Sequence, residues 1–300
     1  MNPFNRKTAK LSLLSLSAIL LIGKADAQNV KTTTDVVYAE AIDKENKPVQ
    51  IKLDAYVPEN SPGKHPAILM IHGGGWFAGD KAQYKPWAQE LAKAGYVAFS
   101  INYRLSPRFQ YPAALDDVQR AVRWVRAHAA EYGVDTEKIG ALGDSAGAHL
   151  ASFLGTRDTR DNSDATLASF SSRVRCVVDL FPPTDFTLSP DSVKEGSPGL
   201  FMLQGFFGKK PQEAPELYKA GSPITYVDKT SSPFLIFHGD ADKLVPVDQS
   251  MRFHAALKTA NVESTLVIFA NEGHGFKGAG ALETVKVLSL SFFNRILKGK

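Results

Sequence analysis

Short apolar runs alternate along most of the chain with longer segments that carry an apolar residue every three or four positions. Residues 67–71, 97–101, 139–142, 174–180, 234–237 and 264–269 are mostly apolar, as strands buried on both faces of a parallel sheet are. Residues 84–94, 113–130, 148–155, 248–260 and 281–297 have helical spacing, and Gly95, Gly133 and Gly155 stand where helix C-caps would fall. Residues 34–41 and 49–57 alternate in character around Glu45-Asn46-Lys47-Pro48, which predicts an antiparallel hairpin at a sheet edge. The sum is an α/β fold: one doubly wound, eight-stranded, mostly parallel sheet with helices on both faces.

Two stretches break the alternation. Residues 157–172 are rich in Asp, Ser and Thr; residues 185–226 are rich in Gly and Pro and include Phe186, Phe201, Phe206 and Phe207. Loops this long in a compact domain are usually functional or disordered. The second is expected to form a small lid over the functional site, with Phe206 and Phe207 as candidate pocket walls.

The amino terminus differs from the rest. Arg6, Lys7 and Lys10 precede an apolar run of twelve residues, 11–22, followed by Ala25-Asp26-Ala27. That is the pattern of a secretory signal peptide over residues 1–27, leaving residues 28–300 as one domain. The run is too short for a retained span, which needs about 20 residues. No cysteine near the cleavage point could carry a lipid, and the single Cys176 can form no internal disulfide. A secreted or periplasmic location without a membrane anchor is the expectation. The leader carries +3 of the formal net charge of +4, so the rest is nearly neutral and gives no reason to expect nucleic acid as a partner.

The chemistry concentrates in four places. Gly143-Asp144-Ser145-Ala146-Gly147 follows one predicted strand and precedes a predicted helix, the strand–turn–helix setting that a G-x-S-x-G nucleophile requires. His72-Gly73-Gly74-Gly75-Trp76 follows another strand, where backbone N–H groups can approach a substrate oxygen. The expected oxyanion donors are Gly73, Gly74 and Ala146, with Trp76 as a further pocket wall. Asp242 and His274 lie on loops after the last two predicted strands, in the order nucleophile, acid, histidine. Asp242 is preferred to Asp240 because it lies further out on its loop. Of the remaining histidines, His128 and His254 fall on helices and His65 precedes a strand, while His149 and His238 are placed to touch the site. No H-E-x-x-H or comparable ligand spacing occurs, so no metal or other cofactor is expected.

These motifs resemble those of the α/β-hydrolase esterase and lipase superfamily that includes hormone-sensitive-lipase-like enzymes. The resemblance is closer to the bacterial feruloyl-esterase-like branch of small carboxylesterases and extends over nearly all of residues 28–300. Asn102-Tyr103-Arg104-Leu105-Ser106, the segment Tyr111-Pro112-Ala113-Ala114-Leu115-Asp116-Asp117-Val118 and Ser222-Pro223-Ile224-Thr225 belong to it as scaffold signatures. It implies a serine carboxylesterase acting on small esters or on acetyl or feruloyl esters of plant polysaccharide. The amino-terminal cap helices usual in the hormone-sensitive-lipase-like group are not expected here, which implies a more open site. An amidase such as a formamidase, or a small peptidase, would use the same residues. A non-enzymatic binding protein would be expected to have lost a triad member, and none is lost. A histidine base must be neutral, so activity is expected to rise with pH through roughly 6–7.5.

Overall fold

The computed structural model describes residues 29–187 and 196–300. The leader, residues 1–27, lies outside the described residues, as does part of the segment 185–226. The eight strands are β1 (Val30–Ile42), β2 (Pro48–Pro58), β3 (His65–Ile71), β4 (Val97–Ile101), β5 (Val134–Asp144), β6 (Cys176–Leu180), β7 (Phe234–Gly239) and β8 (Ser264–Phe269). They form one sheet in the order β1-β2-β4-β3-β5-β6-β7-β8. The β1–β2 and β2–β4 pairs are antiparallel and the rest parallel. Strand order reverses around β3 and β5, so the loops that follow these strands open side by side at the carboxyl edge, where α/β sheets form their crevice.

The helices are α1 (Lys85–Lys93), α2 (Ala113–Ala127), α3 (Ala129–Tyr132), α4 (Ala146–Thr156), α5 (Pro198–Phe207), α6 (Pro215–Ala220), α7 (Asp248–Thr259) and α8 (Ala279–Phe293). Alternate residues of each central strand serve opposite faces. In β3, Leu69 and Ile71 join the core shared with α2, α4 and α7, while Ile68 and Met70 join the one shared with α1 and α8. Both faces are therefore sealed, which is why the central strands read as continuous apolar runs.

Two expectations need correction, and the polar stretch turns out to be ordered. Gly155 caps no helix: α4 runs through it to Thr156, and an added Cβ would lie 2.6 Å from the Phe234 ring and 2.8 Å from Val177. The glycine is there for helix–sheet contact. The helix expected over 113–130 breaks at His128, after which α3 ends on left-handed Gly133. The polar stretch 157–172, whose composition left it open between a functional and a disordered loop, is packed chain. The buried Arg123 guanidinium donates to the carbonyls of Asp161, Leu167 and Phe170, tying the segment to α2.

Candidate active site

The turn between β5 and α4 is sterically forced. Ser145 sits at φ 50°, ψ −119°, a conformation an L-residue adopts at a cost of about 1–3 kcal/mol. Its N–H donates to the Leu180 carbonyl at 2.9 Å, which holds the turn against β6. A Cβ on Gly143 would lie 2.4 Å from the Gly147 carbonyl, and one on Gly147 would lie 2.0 Å from the Ile71 oxygen. Neither position can carry a side chain while the serine keeps this perch.

The neighbouring strands β7 and β8 bring the acid and the histidine together. Asn271 N–H donates to Asp240 Oδ1 at 2.6 Å and Ala241 N–H to the Glu272 carbonyl at 3.0 Å, so the two loops are stitched. His274 Nδ1 then donates to Asp242 Oδ2 at 2.7 Å, and Ser145 Oγ donates to His274 Nε2 at 2.9 Å. The Phe181 ring packs against the imidazole with centroids 4.5 Å apart. Asp240 thus ties loops together, and Asp242 reaches the histidine.

Asp242 is fully surrounded. Its Oδ1 accepts the N–H groups of Leu244 and Val245, both at 2.9 Å. Its Oδ2 lies 3.3 Å from Nε2 of buried His238, which also donates to the Val245 carbonyl at 2.8 Å. Burial pushes the Asp242 pKa up. The hydrogen bonds of His238 and His274, the His274 charge and the Val245 amide outweigh burial and hold the carboxyl well below its usual range. Asp242 is therefore a fixed anion behind the imidazole.

The glycine loop corrects the expected donor set. Gly73 N–H is already committed to Asp144 Oδ1 at 2.9 Å, and the same oxygen accepts the Tyr84 hydroxyl at 2.7 Å. Asp144, the second residue of the elbow motif, anchors the loop by taking this N–H. The Gly74 and Gly75 N–H groups meet no protein acceptor among the described residues, and Gly75 lines the cavity beside Ser145 and Ala146.

That cavity measures about 40 Å³ and is mostly apolar, with Trp76, Pro183, Phe186, Met202, Leu203 and Pro246 among its walls. The Trp76 indole N–H donates to His149 Nδ1 at 3.2 Å, and His149 Nε2 donates to the Gly221 carbonyl at 2.8 Å. Burial lowers the His149 pKa to about 4, so this ring is neutral and fixes the indole. Phe206 and Phe207 do not line the cavity. They are buried behind Trp76, with Phe206 stacked on the indole at 4.6 Å. Among the described residues no group of three or more His, Cys, Asp or Glu side chains is placed to hold a metal ion, and no helix is long and apolar enough to cross a membrane.

A strained serine elbow at the carboxyl edge of a mostly parallel sheet, hydrogen-bonded to a histidine and an aspartate from the last two strand loops, defines an α/β-hydrolase. A family model described as BD-FAE matches residues 53–257. The chain belongs to that family, among the α/β-hydrolase esterases. It is 31% identical over 247 residues to Esterase LipQ of Mycobacterium tuberculosis, a match covering 81% of this chain and 58% of that one. It is similar to the butyrate-bound thermophilic esterase Est2 of Thermogutta terrifontis, with 30% identity, 90% of this chain and 95% of that chain covered, and a TM-score of 0.72. A truncated carbohydrate esterase from gut microbiota matches with 31% identity, coverage of 91% and 98%, and a TM-score of 0.75. The chain spans about half the length of the curated relatives it matches.

Proposed function

We propose that this protein is an exported serine carboxylesterase that hydrolyses esters of short carboxylic acids, acetyl esters of polysaccharide among them. The observation that carries the reading is the hydrogen-bonded chain Ser145–His274–Asp242 beside a cavity lined by Gly75 and Ala146. Ser145 Oγ attacks the ester carbonyl as His274 Nε2 takes its proton, and the oxyanion is met by the N–H groups of Gly74, Gly75 and Ala146. The tetrahedral intermediate collapses when His274 returns the proton to the leaving alkoxide. Water, deprotonated by the same imidazole, then releases the acid and restores Ser145. Asp242 holds the ring tautomer and stabilises the imidazolium throughout.

The cavity favours acetyl over feruloyl esters. A benzene-sized ligand occupies an apolar cavity of about 150 Å³, whereas this one holds about 40 Å³. The butyrate bound to Est2 and the carbohydrate esterase among the neighbours agree with a small acyl group and a sugar alcohol. Export rests on the leader pattern, and mass spectrometry of the protein recovered from a periplasmic or culture fraction tests it through a new terminus at Gln28. The activity is tested with p-nitrophenyl acetate, butyrate and octanoate, methyl ferulate, acetylated xylan and matching anilides. Turnover is expected to fall from acetate to octanoate and to be least on ferulate. Faster cleavage of anilides than of any ester would replace this reading with an amidase.

A further inference from the structure

Outside the acyl cavity runs a second, larger furrow of about 420 Å³, and Met202 lines both. Its outer wall is Phe201, which at 69% exposure is the most exposed large apolar side chain among the described residues. Phe201 is not a stray surface residue. Its ring lies face to face with Phe77, with centroids 5.8 Å apart and planes 24° apart. Phe77 follows Trp76 in the glycine loop and Phe201 precedes Met202 on α5, so the stacked pair stands next to two cavity walls.

The pair is also built for. Phe77 lies so close over α5 that a Cβ on Gly205 would be 1.9 Å from its Cζ. Glycine inside a helix costs about 0.5–1 kcal/mol relative to alanine, and here that cost seats the aromatic ring. The Gln204 amide and the Lys210 ammonium line the same furrow and pair with nothing among the described residues. An exposed aromatic face with hydrogen-bonding groups beside it suits a ligand that is apolar on one face and polar at its rim.

We propose that Phe201, supported by Phe77, is the platform of an alcohol-side subsite that stacks the C–H face of a pyranose ring while Gln204 and Lys210 meet its hydroxyls. This rests on the esterase reading above. The acyl group is assigned to the cavity beside Ser145, so the furrow that shares the Met202 wall with it falls to the alcohol. An alkyl chain would make no use of the Gln204 amide or the Lys210 ammonium.

The test compares acetylated xylobiose with ethyl acetate, whose alcohol is too small to reach the furrow, in wild type, Phe201→Ala and Phe201→Trp. Loss of one aromatic stack should lower kcat/KM on the sugar ester about tenfold more than on ethyl acetate, chiefly through KM, and tryptophan should restore it. Equal losses on both esters would overturn the subsite, and so would a loss confined to octyl acetate, assayed alongside them, which would mark an alkyl channel. Calorimetry of unacetylated xylotetraose on Ser145→Ala reads the subsite without turnover. Binding weakened by adding Phe201→Ala supports it and no binding overturns it, whereas binding by a wild type inactive on every ester would sink the esterase reading alone.

Discussion

Asp242 and Asp179 are both buried carboxyl groups, one on the loop after β7 and the other inside β6, its neighbour in the sheet, and the protein treats them oppositely. Asp242 accepts two backbone N–H groups and faces two imidazoles, and it is held as an anion despite burial. Asp179 accepts only the Ser152 hydroxyl, at 2.7 Å, and its Oδ1 has no partner among the described residues. Burial pushes its pKa well above the usual carboxylate value. Burial alone therefore does not set the charge of these two carboxyl groups: the donors and charge facing Asp242 outweigh its burial, and the single hydroxyl at Asp179 does not. The well-supplied carboxyl is the one hydrogen-bonded to His274, and the starved one sits beside the elbow with its pKa pushed up by burial.

The sharpest way to break this contrast is Asp242→Asn, which removes the anion and leaves the shape. It should lower kcat on p-nitrophenyl acetate by about 10⁴, because His274 is left in the wrong tautomer. A loss below tenfold would mean that the anion is not what orients the imidazole. His238→Leu removes one donor from the same carboxylate. With about 1–3 kcal/mol at stake, a loss of roughly 10- to 100-fold in kcat/KM is expected. His238→Gln, which keeps an N–H near the same place, should recover much of it; if Leu and Gln behave alike, His238 acts only as packing.

Asp179→Asn probes the other side and is read as stability. A carboxyl whose folded pKa is raised contributes stability that is fully present below its unfolded pKa, about 3.9, and is lost as pH rises toward the folded value. The amide cannot ionise, so the variant should melt above wild type at pH 7, by roughly 2–4 °C for each kcal/mol gained. The gain should vanish near pH 3. Melting scans at both pH values check it, and a variant less stable at pH 7 would place a charged, hydrated Asp179 in the native protein.

Much of the fold was legible because its signals are local. The β4 run 97–101 coincides with the strand because every residue in it is buried, and the elbow announced itself through two glycines that tolerate no Cβ. What the sequence concealed depends on distant partners. Gly73 looked as available as Gly74 until the Asp144 carboxylate was seen to take its N–H. Gly155 looked like a helix cap because its contact, Phe234, lies 79 positions away. Phe206 and Phe207 carry the same apolar signal whether they line a cavity or back it, and Trp76 in front of them decides which. His238 carries no local sign of which atom of Asp242 it faces, because that partner lies on the loop beyond its own strand. Gln249 gave no signal at all, although its side chain binds the backbone of Thr184 and Asp185 at the cavity wall.

Hydrolysis of p-nitrophenyl acetate by wild type and by Ser145→Ala, with both proteins shown to melt alike, tests the central claim most directly. Nucleophilic catalysis at Ser145 predicts measurable turnover by wild type and a loss of about 10⁶ in the variant, down to the residue left by the oxyanion hole and binding. Equal rates from the two proteins would remove Ser145 from the chemistry and contradict the account.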